Sequence, residues 1–427
     1  MPQVSIFRPG SALHVDCCVD SMCSESKSSA QHDPLLRVLL SLPALWAGTL
    51  LALLSVAEAI RNAALRSLDF QWSPARLLTR HVDPWAVYLA GDPNHRILLN
   101  QVPNYLHELY VWMLPFGYLP YMPAKPLWAA INLCLVFASC ACIARLYELS
   151  ERKAWLLTLL VLTSTPFRVV IGNGQITALV LACLALWAVA QSAHGRGLLL
   201  GMAYAKYSVP PVLAMFLLLR RRWRLLAYSL LPPLAGFCFI FLWLHTPVHT
   251  LLLEPFRASM DNVSPGLANI MAVCEIALRH PPMFRPVPDA FYFAARTAAV
   301  TYAPDVCGVL LALAMAAYFF WRGAQVDGRI QLACLTAASL LCFKHQIYDF
   351  LLLSFCLALA LQVNPSRTRT GLLLAIGYFW YAERLVHIRR WEFWPSVVMA
   401  SFALLLALIV AAWRLRDSAR WKTEWKI

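Results

Sequence analysis

Charge is what this chain has least of. Only 14% of its 427 residues are Asp, Glu, Lys or Arg, against about 25% in an ordinary soluble domain. The 60% hydrophobic composition is more apolar surface than soluble packing can hide, so the solvent for much of the chain is a bilayer. Familiar catalytic fingerprints are missing too. There is no Walker loop, dinucleotide glycine pattern, zinc histidine pair or serine elbow. No metal site and no cofactor are expected. The 13 cysteines make no framework, because most lie inside apolar runs, where a thiol acts as a small hydrophobe. Cys17, Cys18 and Cys23, with His14 and His32 nearby, fit no zinc spacing. No cleavable leader is visible, since the first apolar run begins only near Leu35.

What the chain does have is a series of apolar runs of about 20 residues, separated by basic or proline-rich loops. This is the pattern of an all-α polytopic membrane protein. The net charge of +14 does not point to nucleic acid. The arginines sit between hydrophobic runs, where they orient helices and meet anionic membrane lipids. Residues 1–34 read as a disordered cytoplasmic tail and 414–427 as a basic cytoplasmic tail. A single transmembrane domain spans 35–413 between them.

The runs place twelve crossings at about 35–59, 105–121, 127–146, 154–171, 175–191, 198–219, 225–244, 303–321, 330–343, 347–361, 371–386 and 395–413. The cluster Arg220-Arg221-Arg222-Trp223-Arg224 fixes the cytoplasmic side. This count puts the 60–104 and 245–300 loops and His345 outside. It also puts the basic Arg145–Lys153 loop outside, against the usual charge rule. A ten-crossing alternative makes the second segment re-entrant and 198–219 a hairpin. In the first outer loop, Pro74 to Thr79 is amphipathic and lies along the interface.

An ionisable group at mid-bilayer costs about 2.5–3.5 kcal/mol on insertion scales, so those inside helices need a reason. Lys206 stands roughly 12 Å from the outer end of its helix, at 1.5 Å per residue. It adjoins Pro210-Pro211, and it is a cation suited to a phosphate. His345 and Asp349, flanked by Lys344 and Tyr348, share a helix face at a spacing of four. His345 can contact a leaving phosphate while Asp349 orients its ring. Asp69 follows the first membrane helix, where a carboxylate can take a proton from a hydroxyl. Gln175, after two glycines, reads as a helix start.

The order Asp69-Phe70, Ala75-Arg76-Leu77-Leu78, Asp83-Pro84-Trp85, Asn104-Tyr105, Leu114-Pro115 and Trp128 to Asn132 resembles the membrane mannosyl- and arabinofuranosyltransferases of glycosyltransferase family 87. Gly174-Gln175, Gly201 to Lys206, Pro210-Pro211, the Arg-Arg-Arg-Trp run and Asn262-Val263-Ser264 continue the resemblance in the same order. It implies a C-type glycosyltransferase fold, a polyprenyl-phosphate sugar donor, and Asp69 as the base in the first outer loop. The position matching the family's phosphate-contacting histidine is His345. Glu148 or Glu151 would supply a second acidic group in the next outer loop. Arg76, Tyr105 and Asn262 fall in matched motifs and are candidate substrate contacts. Two positions depart from the pattern: Tyr105-Leu106-His107 replaces a Tyr-Pro-Pro, and Lys206-Tyr207 replaces a Lys-Pro.

The expected reaction is transfer of one sugar from a lipid-linked phosphosugar to a hydroxyl of a lipid or glycan, at the outer face of a bacterial cell membrane. A multi-pass transporter or flippase is the alternative, since buried Lys206 and broken helices suit that class as well. No inverted repeat is apparent between the halves.

Overall fold

The computed structural model describes residues 34–99, 101–261, 269–279, 290–323, 326–363, 367–382 and 394–417. The amino-terminal tail, most of the basic carboxy-terminal tail and Asn262 lie outside the described residues. Among the described residues the fold is helical, with no strand.

Helix α1 (Leu42–Leu65) starts where Ser41 accepts a hydrogen bond from the Ala44 amide at 3.4 Å, with a proline in the first turn. That cap shifts the helix from the expected 35–59. Its outer face carries Leu50, Leu51, Leu53 and Leu54, each 58–62% exposed. In water each such leucine would forgo about 2 kcal/mol of burial, so this face belongs against lipid.

Two short helices follow, α2 (Trp72–Leu78) and α3 (Pro84–Leu89). The first lies where the interfacial segment was expected, but its Ser73, Pro74, Ala75, Leu77 and Leu78 are buried. Next come α4 (His107–Tyr118), α5 (Tyr121–Leu146) and a bent pair, α6 (Glu151–Thr163) and α7 (Thr165–Asn173). The pair is angled by 59°, where Pro166 has no amide to continue the ladder. Helices α8 (Thr177–Val189), α9 (Ala193–Ala203) and α10 (Pro211–Leu219) are short. Helix α11 (Trp223–Leu244) is long. Amphipathic α12 (Val248–Asp261) and α13 (Ile270–Arg279) precede α14 (Ala290–Arg322) and α15 (Gly328–Cys342). A 3-10 turn, Ile347–Leu353, leads into α16 (Ser354–Gln362), then α17 (Arg367–Gly377) and α18 (Trp394–Arg414).

Five of these helices are long and apolar enough to cross a membrane, or six when the bent pair is one span. The expected twelve crossings are not reached: Thr177–Val189, Gly328–Cys342 and Ile347–Gln362 are apolar but shorter, and two further segments depart more sharply. Helix α4 has 12 residues, about 18 Å at 1.5 Å per residue, too short for a core of about 30 Å. Its start is tied to the Ala205 carbonyl by the Leu106 amide at 3.4 Å. At its other end Leu119 O accepts from the Trp72 indole at 3.0 Å. The expected helix over 198–219 is instead two arms. Pro210 and Pro211 lack amide hydrogens, so the ladder stops and Tyr204–Lys206 forms a single 3-10 turn. The arms return to one end of the molecule, for Arg196 lies near Arg222 and Arg220 stacks on Phe216 and Phe320. The second of these segments has the hairpin shape of the ten-crossing alternative, while α4 is shown only to be short.

Helix α5 then decides which loops share an end. The Tyr121 hydroxyl meets the Arg66 and Ser67 carbonyls, each at 3.4 Å. About 39 Å further along, at 1.5 Å per residue, Glu148 pairs with Arg329 at 2.8 Å. The Arg145–Lys153 loop therefore lies at the end opposite Asp69. That is the end of Arg329, Arg322 and the Arg220 cluster, so the 60–104 and Arg145–Lys153 loops do not share an end, contrary to the twelve-crossing count. A charged loop among the other arginines also obeys the charge rule.

Candidate active site

The site forms where four chain breaks meet. The first is the turn after α1. The Ser67 amide donates to Gly172 O at 3.2 Å and the Asp69 amide to Asn173 O at 3.0 Å. These two backbone bonds stitch the loop carrying Asp69 to the end of α7. Gly174 ends α7 in the left-handed region at φ 72°. A Cβ there would stand 2.8 Å from the Phe70 Cβ, so only glycine lets the two segments touch. Phe70 is fully buried and stacks on Trp128 at 6.0 Å. The Trp128 indole donates to Gly174 O at 2.9 Å.

Gln175, the next residue, is buried. Its Nε2 donates to Asp69 Oδ2, and its Oε1 accepts from the Tyr105 hydroxyl at 3.3 Å. A second pair runs alongside: Gln71 Nε2 donates to the Asp69 carbonyl at 3.1 Å, and the Tyr110 hydroxyl donates to Gln71 Oε1 at 3.1 Å. Burial pushes the Asp69 carboxyl up to about 6, with Lys206 and the Gln175 amide pulling the other way. Burial, followed by the charges of Asp69 and Asp349, keeps the Tyr105 phenol protonated.

The remaining breaks supply the cation. Lys206, in the 3-10 turn, is 7% exposed. Its ammonium donates to Asp349 Oδ1 and, at 3.1 Å, to Thr177 Oγ1. It lies 4.5 Å from the centre of the Tyr348 ring. Thr177 donates to the same Asp349 oxygen at 2.7 Å. Asp349 Oδ2 faces His345 Nδ1 at 3.2 Å and accepts from the Gln346 amide at 3.3 Å. His345 Nε2 is 2.9 Å from Ser339 O. Asp349 is thus saturated with partners, whereas Asp69 Oδ1 has none among the described residues.

The structure gathers Asp69, Lys206, Tyr105, Asp349, Tyr348 and His345 into one polar cluster. His345 stands differently from expectation. Its ring is buried and both nitrogens face acceptors within the protein, so it backs Asp349 rather than presenting an N–H outward. Lys344 is half-buried nearby. Arg76 is committed elsewhere, since it donates to Gly117 O at 2.9 Å and ties α2 to α4. Glu148 and the exposed Glu151 lie at the far end. Among the described residues, no three His, Cys, Asp or Glu side chains are grouped to hold a metal.

Residue reasoning passed over two members. Gln175 looks like a helix start by local rules, although Gly174-Gln175 falls in a matched motif. Thr177 was a polar residue opening an apolar run, which was the available signal.

Helix α12 closes one side. His107 Nε2 is 3.0 Å from Leu251 O. Thr246 donates to Asp83 Oδ2 at 3.2 Å. Glu254 is hydrogen-bonded to Asp83, and burial together with that neighbour pushes its carboxyl up to about 7. Phe256 packs 5.4 Å from Tyr207, the residue after Lys206.

A polar cluster at the meeting point of broken helices in an apolar bundle defines a membrane protein with a buried charged site. The profile of glycosyltransferase family 87 matches residues 109–344, more than half of the chain, and the chain belongs to that family. It is a glycosyltransferase. The matched stretch contains Gln175, Thr177 and Lys206, but begins after Asp69 and Tyr105 and stops just before His345. No curated protein and no solved structure matches the chain.

Proposed function

We propose that this glycosyltransferase moves a single sugar from a polyprenyl-phosphate donor to a hydroxyl of a lipid or polysaccharide acceptor, with Asp69 as the general base. The observation that carries this reading is the pairing of an under-partnered carboxylate with a buried cation. Asp69 keeps one oxygen without a partner among the described residues and holds its proton up to about 6, so at neutral pH it is ionised yet basic enough to accept a proton. Lys206, whose charge reaches Asp69, supports the leaving group.

The acceptor oxygen attacks the anomeric carbon as its proton passes to Asp69. The bond from that carbon to the phosphate oxygen breaks, and its electron pair leaves with the phosphate. Asp349 and Thr177 use two of the three N–H donors of Lys206. The third serves the phosphate and offsets its growing charge. His345 acts from behind by holding Asp349. The polyprenyl tail lies against the exposed apolar helix faces. The arginine-rich opposite end supports a reading in which that end faces the cytoplasm and the site opens at the outer face. Family membership favours transfer over the transporter alternative.

The test is transfer from polyprenyl-phosphate mannose and polyprenyl-phosphate arabinofuranose to a membrane-lipid extract in proteoliposomes. Asp69→Asn should lose at least about 100-fold in turnover, the lower range for general-base catalysis, while eluting and melting as a folded protein. Undiminished transfer by that variant would falsify the assignment.

A further inference from the structure

We propose that Gln175 is a positioning residue, whose side-chain amide, locked by Tyr105, determines which oxygen of Asp69 faces the acceptor hydroxyl. The inference rests on Asp69 being the base, and it assigns a role to a residue that does not itself meet substrate.

An amide side chain has two unlike ends: Oε1 only accepts and Nε2 only donates. Tyr105 donates to Oε1 at 3.3 Å, so Oε1 must turn towards the phenol. Nε2 then has to turn towards Asp69, where it donates to Oδ2. The flipped amide would set Oε1 against a carboxylate, two acceptors facing each other in a buried place, and the phenol would have to turn its own O–H away to accept from Nε2. The two neighbours therefore enforce one orientation. With Oδ2 occupied, the proton from the acceptor goes to Oδ1.

The backbone fixes both partners of this contact. The Gln175 amide donates to Val170 O at 2.9 Å, and the Asp69 amide to Asn173 O at 3.0 Å. These bonds hold the two backbones in place, and the side chains are held to each other by the amide–carboxylate contact itself. The parallel pair differs in one respect: Gln71, held by Tyr110, grips the Asp69 carbonyl rather than its carboxylate. One glutamine anchors the residue and the other aims its side chain.

Among the described residues, the titratable and charged groups facing the Asp69 carboxyl are Lys206 from the 3-10 turn, Tyr105 from the loop before α4, and Tyr348 from the turn before α16. The Gln175 amide is the neutral group that favours ionised Asp69. Its removal therefore raises the pH at which Asp69 loses its proton. A merely structural glutamine would not do this.

The direct probe is dicyclohexylcarbodiimide, which modifies protonated carboxyls. It is applied to the full chain in lipid nanodiscs across pH 4.5–8.5, with labelling at residue 69 read by peptide mass spectrometry. Wild type should show half-labelling near pH 6. Gln175→Leu should move that midpoint up by roughly one pH unit, the tenfold change expected for a lost charge-assisted bond. Gln175→Glu should move it at least as far, and Tyr105→Phe by less. Gln175→Asn, which keeps the amide on a shorter arm, should fall between Leu and wild type. In the transfer assay, Gln175→Leu should lower kcat and shift the acid limb upward, with the KM for the donor within about twofold. An unmoved midpoint in a folded Gln175→Leu protein overturns the positioning role and leaves Asp69 as the base. If the midpoint moves but Asp69→Asn still transfers sugar, the base assignment fails instead. Should Gln175→Leu not fold, Tyr105→Phe decides the matter by the same midpoint.

Discussion

The two aspartates of the site live by opposite rules. Asp349 is closed: the Lys206 ammonium, the Thr177 hydroxyl, the Gln346 amide and the His345 ring surround it. Asp69 is open: one glutamine amide holds one oxygen, and the other oxygen has no protein partner among the described residues. A saturated carboxylate is a structural anion that fixes its neighbours. A desolvated carboxylate left short of partners is one prepared to take a proton. Of the two, the saturated aspartate organises the cation, and the unsaturated one is the base of the proposed transfer.

The largest way to break this contrast is at Asp69, where Asn should remove at least about 100-fold of turnover and leave the fold intact. Asp349 should behave in reverse. Asp349→Ala strands a buried ammonium, and losing one partner of a buried pair costs about 3–5 kcal/mol. Poor yield and a lower melting temperature are expected before any kinetic effect. Replacing both partners, Asp349→Leu with Lys206→Met, should restore much of that stability but not transfer. Recovery of transfer in the double variant would show that Lys206 is not the phosphate's cation.

A third comparison is by pH. The proton of Asp69 is held up to about 6, so the transfer rate should fall tenfold per unit below about 6 as the base fills. Stability runs the other way. A carboxyl that binds its proton more tightly when folded destabilises the fold once ionised. At pH 7.5 Asp69→Asn should therefore melt above wild type, and the gap should close as pH falls through 6 towards 4. A gap independent of pH would mean that Asp69 is not desolvated.

The smallest effect concerns α12. Glu254 holds its proton up to about 7 beside Asp83, above its ordinary value. The stabilisation it gives is thus present at low pH and lost as pH rises through about 7. It is worth about 1 kcal/mol or less after solvent screening. The amide protection factors over residues 248–261, which correct for the intrinsic pH dependence of exchange, should fall several-fold between pH 4.5 and 7 in wild type and stay level in Glu254→Gln.

The helical bundle was legible because long apolar runs have few alternatives to membrane helices. The ends of the runs were not. Helix α4 has the composition of a span, and counting it as one reversed the loop after α5 and carried Glu148 and Glu151 to the wrong end. The ends of α4 are tied by the bonds from Leu106 to Ala205 and from Trp72 to Leu119, which join residues far apart in sequence. Lys206 was legible because a lysine beside two prolines in an apolar run is costly unless used. The expected partnership of His345 and Asp349 is present, but with the roles turned round: the ring faces inward and serves the carboxylate. Gln175 was passed over because its partner, Asp69, lies 106 positions earlier. Local rules see only a glycine followed by a helix.

The glycine at 174 has a consequence of its own. Because Phe70 Cβ lies 2.8 Å from where a methyl group would sit, position 174 meters the height of the whole turn after α1. One added carbon would act as a wedge, prising that turn from its seat and lifting the neighbouring carboxylate with it. The bare α-carbon at 174 thereby sets the reach of the Asp69 carboxylate.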